Sequence, residues 1–135
     1  MIDSETVTVD LLKASLSREQ FAERVSVVSR ALSTRASVLV LGGMQLRAAA
    51  GQLELAATDM ELSLRATVEA DVSGEGTVVV PGRLLLDIAR ALPDSEVSLE
   101  HLPEESVLVI TSGSATYRIH TYSAEDFPQI GRAHV

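Results

Sequence analysis

Val80-Pro81-Gly82-Arg83-Leu84-Leu85-Leu86-Asp87-Ile88-Ala89-Arg90-Ala91-Leu92-Pro93 decides how the rest of the chain is read. The spacing predicts a short helix fenced by two prolines. Pro81 suits a first helical turn, where its missing N–H breaks no bond. Pro93 cannot continue the helix and marks its end. Leu85, Ile88, Ala89 and Leu92 recur at i, i+3, i+4 and i+7, the pattern of one apolar face. Arg83, Asp87 and Arg90 recur at i, i+4 and i+7 on another face, so two guanidiniums point the same way about two turns apart. An ordinary solvated face can carry such a pair, so its meaning depends on whether other basic residues join it.

A second helix signal lies upstream. Ser17-Arg18-Glu19-Gln20 has the form of a capping box, with Ser17 as N-cap and Gln20 three residues on. The helix is expected to run to about Leu32, with Phe21, Val25, Val28 and Leu32 as its apolar stripe. Arg18, Arg24 and Arg30 are distributed around the remaining surface, and Ser33-Thr34-Arg35 is a polar connector.

Strands fill the rest. Thr6 to Leu12 alternates and is rich in β-branched residues, which predicts a strand. Val38 to Arg47 is another, with Gly42-Gly43 as a bulge or sharp bend. A phosphate cradle is the sharper reading of the pair, but no Lys-Ser/Thr follows and no helix opens there, so the bend is preferred. Ala50-Gly51-Gln52 is a turn into a strand carrying Leu53, Leu55 and Ala57. Asp59-Met60-Glu61 connects tightly to a strand from Leu62 to Val68, and Ser73 to Gly76 is a loop. Thr77 to Val80 is a strand feeding the helix quoted above. Val97-Ser98-Leu99, Val107 to Thr111 and Thr116 to Thr121 are strands, with turns at Pro93 to Ser95, Pro103 to Glu105 and Ser112-Gly113-Ser114.

The order strand, helix, three strands thus occurs twice, in a unit of about 65–70 residues that repeats element order rather than residue identity. Two helices and hairpin-linked strands imply an α+β fold, with both helices on one face of antiparallel sheet. Their polar faces would then look out from the same side, gathering the six helix-region arginines on one surface.

Composition bounds the function. The chain has 135 residues, 46% of them hydrophobic, enough for one domain with a sizeable core. Trp is absent and aromatics make up 3%, so base-stacking platforms are not expected. There is no cysteine, which excludes disulfides, thiolate metal sites and a thiol nucleophile and is compatible with the cytosol. No apolar run approaches the roughly 20 residues of a membrane span. The start Met1-Ile2-Asp3-Ser4-Glu5 lacks the basic residues of a signal peptide, so a cytoplasmic location is expected. The net charge is −8. Residues 17–35 and 82–92 carry six arginines against Glu19, Glu23 and Asp87, a local +3, which leaves −11 on the remainder. An acidic body with locally basic helices suits a polyanion that is guided rather than gripped; it also suits plain solubility.

At this point the motifs resemble a family, the bacterial sliding clamp, which is the beta subunit of DNA polymerase III, and specifically its first domain. Four segments carry the likeness: Thr34-Arg35-Ala36-Ser37-Val38-Leu39; Ala57-Thr58-Asp59-Met60-Glu61-Leu62; Val80-Pro81-Gly82-Arg83 through Ala91-Leu92-Pro93; and Ser112-Gly113 through Glu125-Asp126-Phe127-Pro128. Together they cover residues 6–129, in register, so residues 1–129 are expected to be the clamp N-terminal domain. The resemblance implies a DNA clamp fold without a catalytic site, metal or cofactor. It implies a homodimer ring that encircles duplex DNA independently of sequence and tethers DNA polymerase III, giving processivity. The clamp loader and polymerase are expected to bind through further domains. By the same resemblance Arg35, Arg83 and Arg90 are DNA-contacting residues, and Tyr117 and Ile119 lie where one subunit meets the other. The chain departs from the family pattern at Ala36 and Val40, where proline is frequent, and at Ser114 and Thr116, where basic residues are frequent. Ile130 to Val135 does not resemble the interdomain linker and is expected to be a cloning or sequencing scar, which resequencing beyond Gln129 tests.

Two rivals are weighed against this. Catalysis would need a constellation, but His101, His120 and His134 are scattered without ligand spacing. Asp59 and Glu61 on one strand face would suggest a carboxylate pair or Mg²⁺ site; an Asp bonding its own backbone in a turn is the preferred account. The other rival is a stand-alone interaction module of the same fold that does not bind DNA, since one domain encircles nothing.

Overall fold

A computed structural model describes residues 11–32 and 42–122. In chain order these are β1 (Lys13–Ser17), α1 (Arg18–Val28), β2 (Gly43–Ala49), β3 (Gln52–Thr58), β4 (Ser63–Glu69), β5 (Asp71–Gly74), β6 (Gly76–Pro81), α2 (Gly82–Ala91), β7 (Glu96–Leu102), β8 (Val107–Ser112) and β9 (Ala115–His120). Ser17 caps α1, its Oγ accepting from the Gln20 backbone N–H at 3.3 Å. The chain leaves α1 through a 3-10 turn, Ser29–Ala31. All four predicted stripe residues, Phe21, Val25, Val28 and Leu32, are buried. α2 starts one residue later than expected. Pro81 is its N-cap rather than part of its first turn, and Leu92 turns extended ahead of Pro93.

The strands form two antiparallel sheets, ordered β5-β1-β7-β8-β9 and β4-β3-β2-β6. The predicted repeat is present, and its halves exchange a strand. β1 of the first half lies beside β7, β8 and β9 of the second, while β6 of the second lies beside β2, β3 and β4 of the first. The exchange extends to the seams. β4 leaves its own sheet at Ala70 and continues as β5, pairing with β1. At the matching place, the chain beyond β9 crosses to β6, where Tyr122 N–H donates to the Val79 carbonyl at 2.7 Å.

Two expectations shift, and a third is seen in part. The first strand among the described residues is Lys13–Ser17, and Leu11 and Leu12 precede it instead of belonging to it; residues 6–10 lie outside the described region. The predicted loop at Ser73 to Gly76 is largely strand. β5 has no hydrophobic alternation and takes its identity from the edge of β1, pairing Lys13 with Gly74 and Ala14 with Val72. A Cβ on Gly74 would lie 2.2 Å from the Leu11 carbonyl oxygen, so only glycine permits that approach. The strand predicted from Val38 to Arg47 is present from Gly43 on; residues 38–41 lie outside the described region.

Turn chemistry holds the hairpins. Ala50 and Gly51 both have positive φ, the type I′ geometry that matches strand twist. α1 and α2 pack against each other, α1 over β3 and β4 and α2 over β2 and β6, so both helices cover the same face. Phe21, Leu12, Met44, Leu46, Leu55, Leu85, Leu99 and Ile110 belong to a single buried cluster that spans both sheets and both helices.

Candidate nucleic-acid interface

The surface in question is the side of the helix pair turned away from the sheets. On α2 it follows directly from the wheel: Gly82, Leu85, Ile88 and Ala89 are buried, while Arg83, Asp87 and Arg90 are exposed in line. Neither Arg83 nor Arg90 has an ion pair or side-chain hydrogen bond among the described residues. Arg83 lies in the first turn of α2, which holds no acidic residue. A cation there opposes the helix dipole, at a cost of roughly 0.3–1 kcal/mol. Arg90, in the last turn, is favoured by the same dipole.

α1 presents a different face. Glu19, Gln20, Glu23 and Val27 are its exposed residues, and Arg30 is exposed in the turn that follows. Two of its arginines are held at the flanks instead of joining the outer surface. Arg18 Nε donates to the Asp94 carbonyl at 3.0 Å, just before β7. Arg24 Nε donates to the Thr67 carbonyl of edge strand β4 at 3.1 Å and its guanidinium pairs with Glu23. The expected gathering of helix arginines is therefore narrower than the count suggested: among the described residues, Arg30, Arg83 and Arg90 are exposed and without partners. Arg35 lies outside the described residues. The sequence offered no sign that Arg18 and Arg24 would be drawn off, because the carbonyls that take them belong to distant strands.

The β3–β4 connection is structural. Asp59 Oδ1 accepts from the backbone N–H of Leu62 at 2.7 Å and of Glu61 at 2.9 Å. These bonds, Leu62's first, hold the Asp59 carboxyl below its ordinary pKa. Thr58 Oγ1 accepts from Met60 N–H and from the Ser63 hydroxyl, and Met60 takes a positive φ. Among the described residues no group of three His, Asp or Glu could hold a metal ion. The cleft of about 540 Å³ that contains His101 is lined by Leu11, Glu100, Leu102, Pro103, Glu104 and Glu105, not by Asp59.

On β9, the last strand of its sheet, Tyr117 is half-buried against the core and Ile119 is 1% exposed. Both face inward, opposite Ile110 and Leu108. Ile119 thus belongs to this domain's own core, and any part it takes in a contact runs through its backbone at the sheet edge. The outward residues of β9 are Thr116, Arg118 and His120, with Arg118 paired to Glu105. No helix among the described residues is long and apolar enough to cross a membrane.

Comparison with known proteins agrees with this architecture. A family model described as DNA polymerase III beta subunit, N-terminal domain, matches residues 12–131. The beta sliding clamp of Streptomyces coelicolor is 40% identical over 119 residues, 88% of this chain and 31% of that protein. The beta sliding clamp of Vibrio cholerae is 36% identical over 121 residues, 88% of this chain and 32% of that protein. The crystal structure of the DNA polymerase III beta subunit from Thermotoga maritima superposes with a TM-score of 0.82 at 32% identity, over 90% of this chain and 33% of that one. The Caulobacter crescentus beta sliding clamp gives 0.86 at 25% identity, over 92% and 33%. The chain spans about a third of the length of these relatives. With the exchanged strands, the paired helices and nearly the whole length matched, the chain belongs to the DNA polymerase III beta subunit family and corresponds to its N-terminal domain.

Proposed function

We propose that this chain forms part of the wall of a ring-shaped sliding clamp, a non-catalytic processivity factor of DNA replication in the cytoplasm. In that role the helix pair faces duplex DNA and touches phosphates without reading bases. The ring closes as a homodimer, and DNA polymerase III and the clamp loader bind elsewhere on the full-length protein. The observation that supports this best is Arg83. It is an exposed cation, without a partner among the described residues, in a helix turn where the dipole disfavours it, aligned with Arg90 on the same face. A side chain that breaks a local stability rule without an internal partner is the mark of a functional position. Phosphate contacts of this kind position a duplex and carry no sequence information, and their salt-sensitive character allows movement along it. Edge strand β9 offers backbone groups for strand addition by a second subunit, with Tyr117 beside that edge and Arg35 a further phosphate contact.

The test is the salt dependence of duplex binding by the chain, read by fluorescence anisotropy on two unrelated DNA sequences. Arg83→Ala and Arg90→Ala are each expected to weaken binding equally on both sequences and to flatten the log–log salt slope by about 0.9. Unchanged slopes in both variants would refute the assignment and favour a protein-interaction module that does not bind DNA.

A further inference from the structure

The two halves of the chain correspond through their helix starts. Ser17 and Pro81 are the N-caps of α1 and α2. Counting from them, Phe21 matches Leu85, Val25 matches Ala89 and Val28 matches Leu92, and all six are buried. The same correspondence sets Glu19 against Arg83 and Glu23 against Asp87, all four exposed. Where α2 turns a cation outward, α1 turns a carboxylate outward at the same place on the same element. Glu23 is partly met by Arg24. Glu19 has no side-chain partner among the described residues. Leaving out Arg18 and Arg24, which are tied to Asp94, Thr67 and Glu23, the exposed charges of α1 and the turn after it, Glu19, Glu23 and Arg30, sum to −1, while Arg83, Asp87 and Arg90 leave +1 on α2.

We propose that Glu19 is a repulsive positioning residue: it keeps a polyanionic duplex off the first turn of α1, biases it toward α2, and holds the total attraction low enough for movement. This rests on the helix pair being the DNA-facing surface. Like charges on either side of a hydrated gap repel with a strength set by separation and screened by salt, so the effect belongs to affinity and its salt dependence. Glu19 also stands in the first turn of α1, where a carboxylate suits the helix dipole. That contribution is to stability alone and leaves the salt slope untouched.

The experiment measures duplex affinity across a salt series, with thermal melts alongside, for Glu19→Gln, Glu19→Arg and Arg83→Ala in the whole chain. Glu19→Gln is expected to tighten binding about two-fold at low salt. Glu19→Arg, which copies the arrangement of α2, is expected to tighten it about four-fold and to steepen the slope by about 0.9. If Arg83→Ala weakens binding while both Glu19 variants keep the parental affinity and slope, the proposal is overturned and the DNA-facing surface stands. A lowered melting temperature with an unchanged slope likewise makes Glu19 a helix-start residue only and overturns it. If Arg83→Ala changes nothing either, the surface assignment falls and takes the proposal with it.

Discussion

Gly82→Ala sets two effects against each other, and the structure decides the sign. Gly82 is the first residue of α2 and is buried. Alanine would ordinarily help, by up to about 1 kcal/mol, through helix propensity and a less flexible unfolded chain. Here a Cβ would lie 2.6 Å from both Leu32 Cδ atoms and 3.1 Å from the Gly42 carbonyl oxygen. Carbon atoms in contact prefer about 3.5–4.0 Å, so the overlap is close to 1 Å on two atoms together. Leu32 is 5% exposed and packed in the core, and the Gly42 carbonyl belongs to the backbone entering β2. Relief therefore means shifting a core side chain or lifting the first turn of α2. Overpacking costs about 1–3 kcal/mol, and with two carbons and a backbone oxygen crowded at once the upper part of that range, about 2–3 kcal/mol, applies; less the gain of about 1 kcal/mol, it leaves a net loss of about 1–2 kcal/mol. At roughly 2.1 cal/mol/K per residue of unfolding entropy, each kcal/mol is about 3–4 °C in a chain of 135 residues. The expected fall in Tm is about 4–7 °C by calorimetry. The matching position in α1 is Arg18, so the helix start itself does not demand glycine; Leu32 does. Leu32→Ala in the Gly82→Ala background should accordingly cost less than Leu32→Ala alone. A rise in Tm on Gly82→Ala, or strictly additive double-variant losses, would refute this account.

Other consequences are simpler to state. Ser112 is 1% exposed; its hydroxyl accepts from Asp94 N–H at 3.0 Å and stands 3.0 Å from the Glu96 carbonyl, tying the end of β8 to the entry of β7. Ser112→Ala leaves that part-buried N–H without its acceptor and should cost about 1 kcal/mol, read as a lower urea midpoint at unchanged m value. Ser17→Ala removes the α1 cap and should cost about 0.5–1 kcal/mol; an unchanged midpoint would mean that the exposed bond is not formed in solution. The Asp59 carboxyl is held below its usual range by the Leu62 and Glu61 N–H groups, so the unfolded chain binds that proton more readily. Its contribution is present above the ordinary carboxylate pKa and is lost as pH falls through the lowered folded value. The stability gap between the parent and Asp59→Asn should narrow on acidification, and an NMR titration midpoint for Asp59 at or above about 3.9 would contradict this.

What could be read in advance had local causes. α1 was legible because Ser17 caps it and Phe21, Val25, Val28 and Leu32 share a face; α2 because two prolines bound a regular stripe. The Ala50-Gly51 turn and the tight Asp59 connection announced themselves through residues that favour such geometry. β5 did not, because Asp71-Val72-Ser73-Gly74 carries no periodic signal and forms only where β1 leaves an edge to meet. β1 was not legible because Lys13-Ala14-Ser15-Leu16-Ser17 holds no β-branched or aromatic residue. At the site, Arg83 and Arg90 followed from spacing alone. The diversion of Arg18 to Asp94 and of Arg24 to Thr67 depended on carbonyls 76 and 43 residues away, which no local pattern encodes. Ile119 shares with Tyr117 the inward side of an alternating strand, and only the layer beneath β9 reveals that side as core.

The exchange of β1 and β6 between sheets explains why stability and surface charge can be separated in this domain. Each half completes the sheet of the other, so neither half has a finished core of its own, and the buried cluster draws on both helices and both sheets at once. Matching helix positions are thereby constrained alike where they face inward: Phe21 and Leu85, Val25 and Ala89, Val28 and Leu92 are all apolar. Outward positions carry no such constraint, since Glu19 and Arg83 are exposed. The scaffold is thus nearly two-fold in its packing while its outer face is not two-fold in charge. Substitutions at Glu19, Arg83 and Arg90 can alter how strongly a polyanion is held with little effect on folding, whereas changes at Gly82 or Leu32, one layer below, must act on folding first and on the surface only through it.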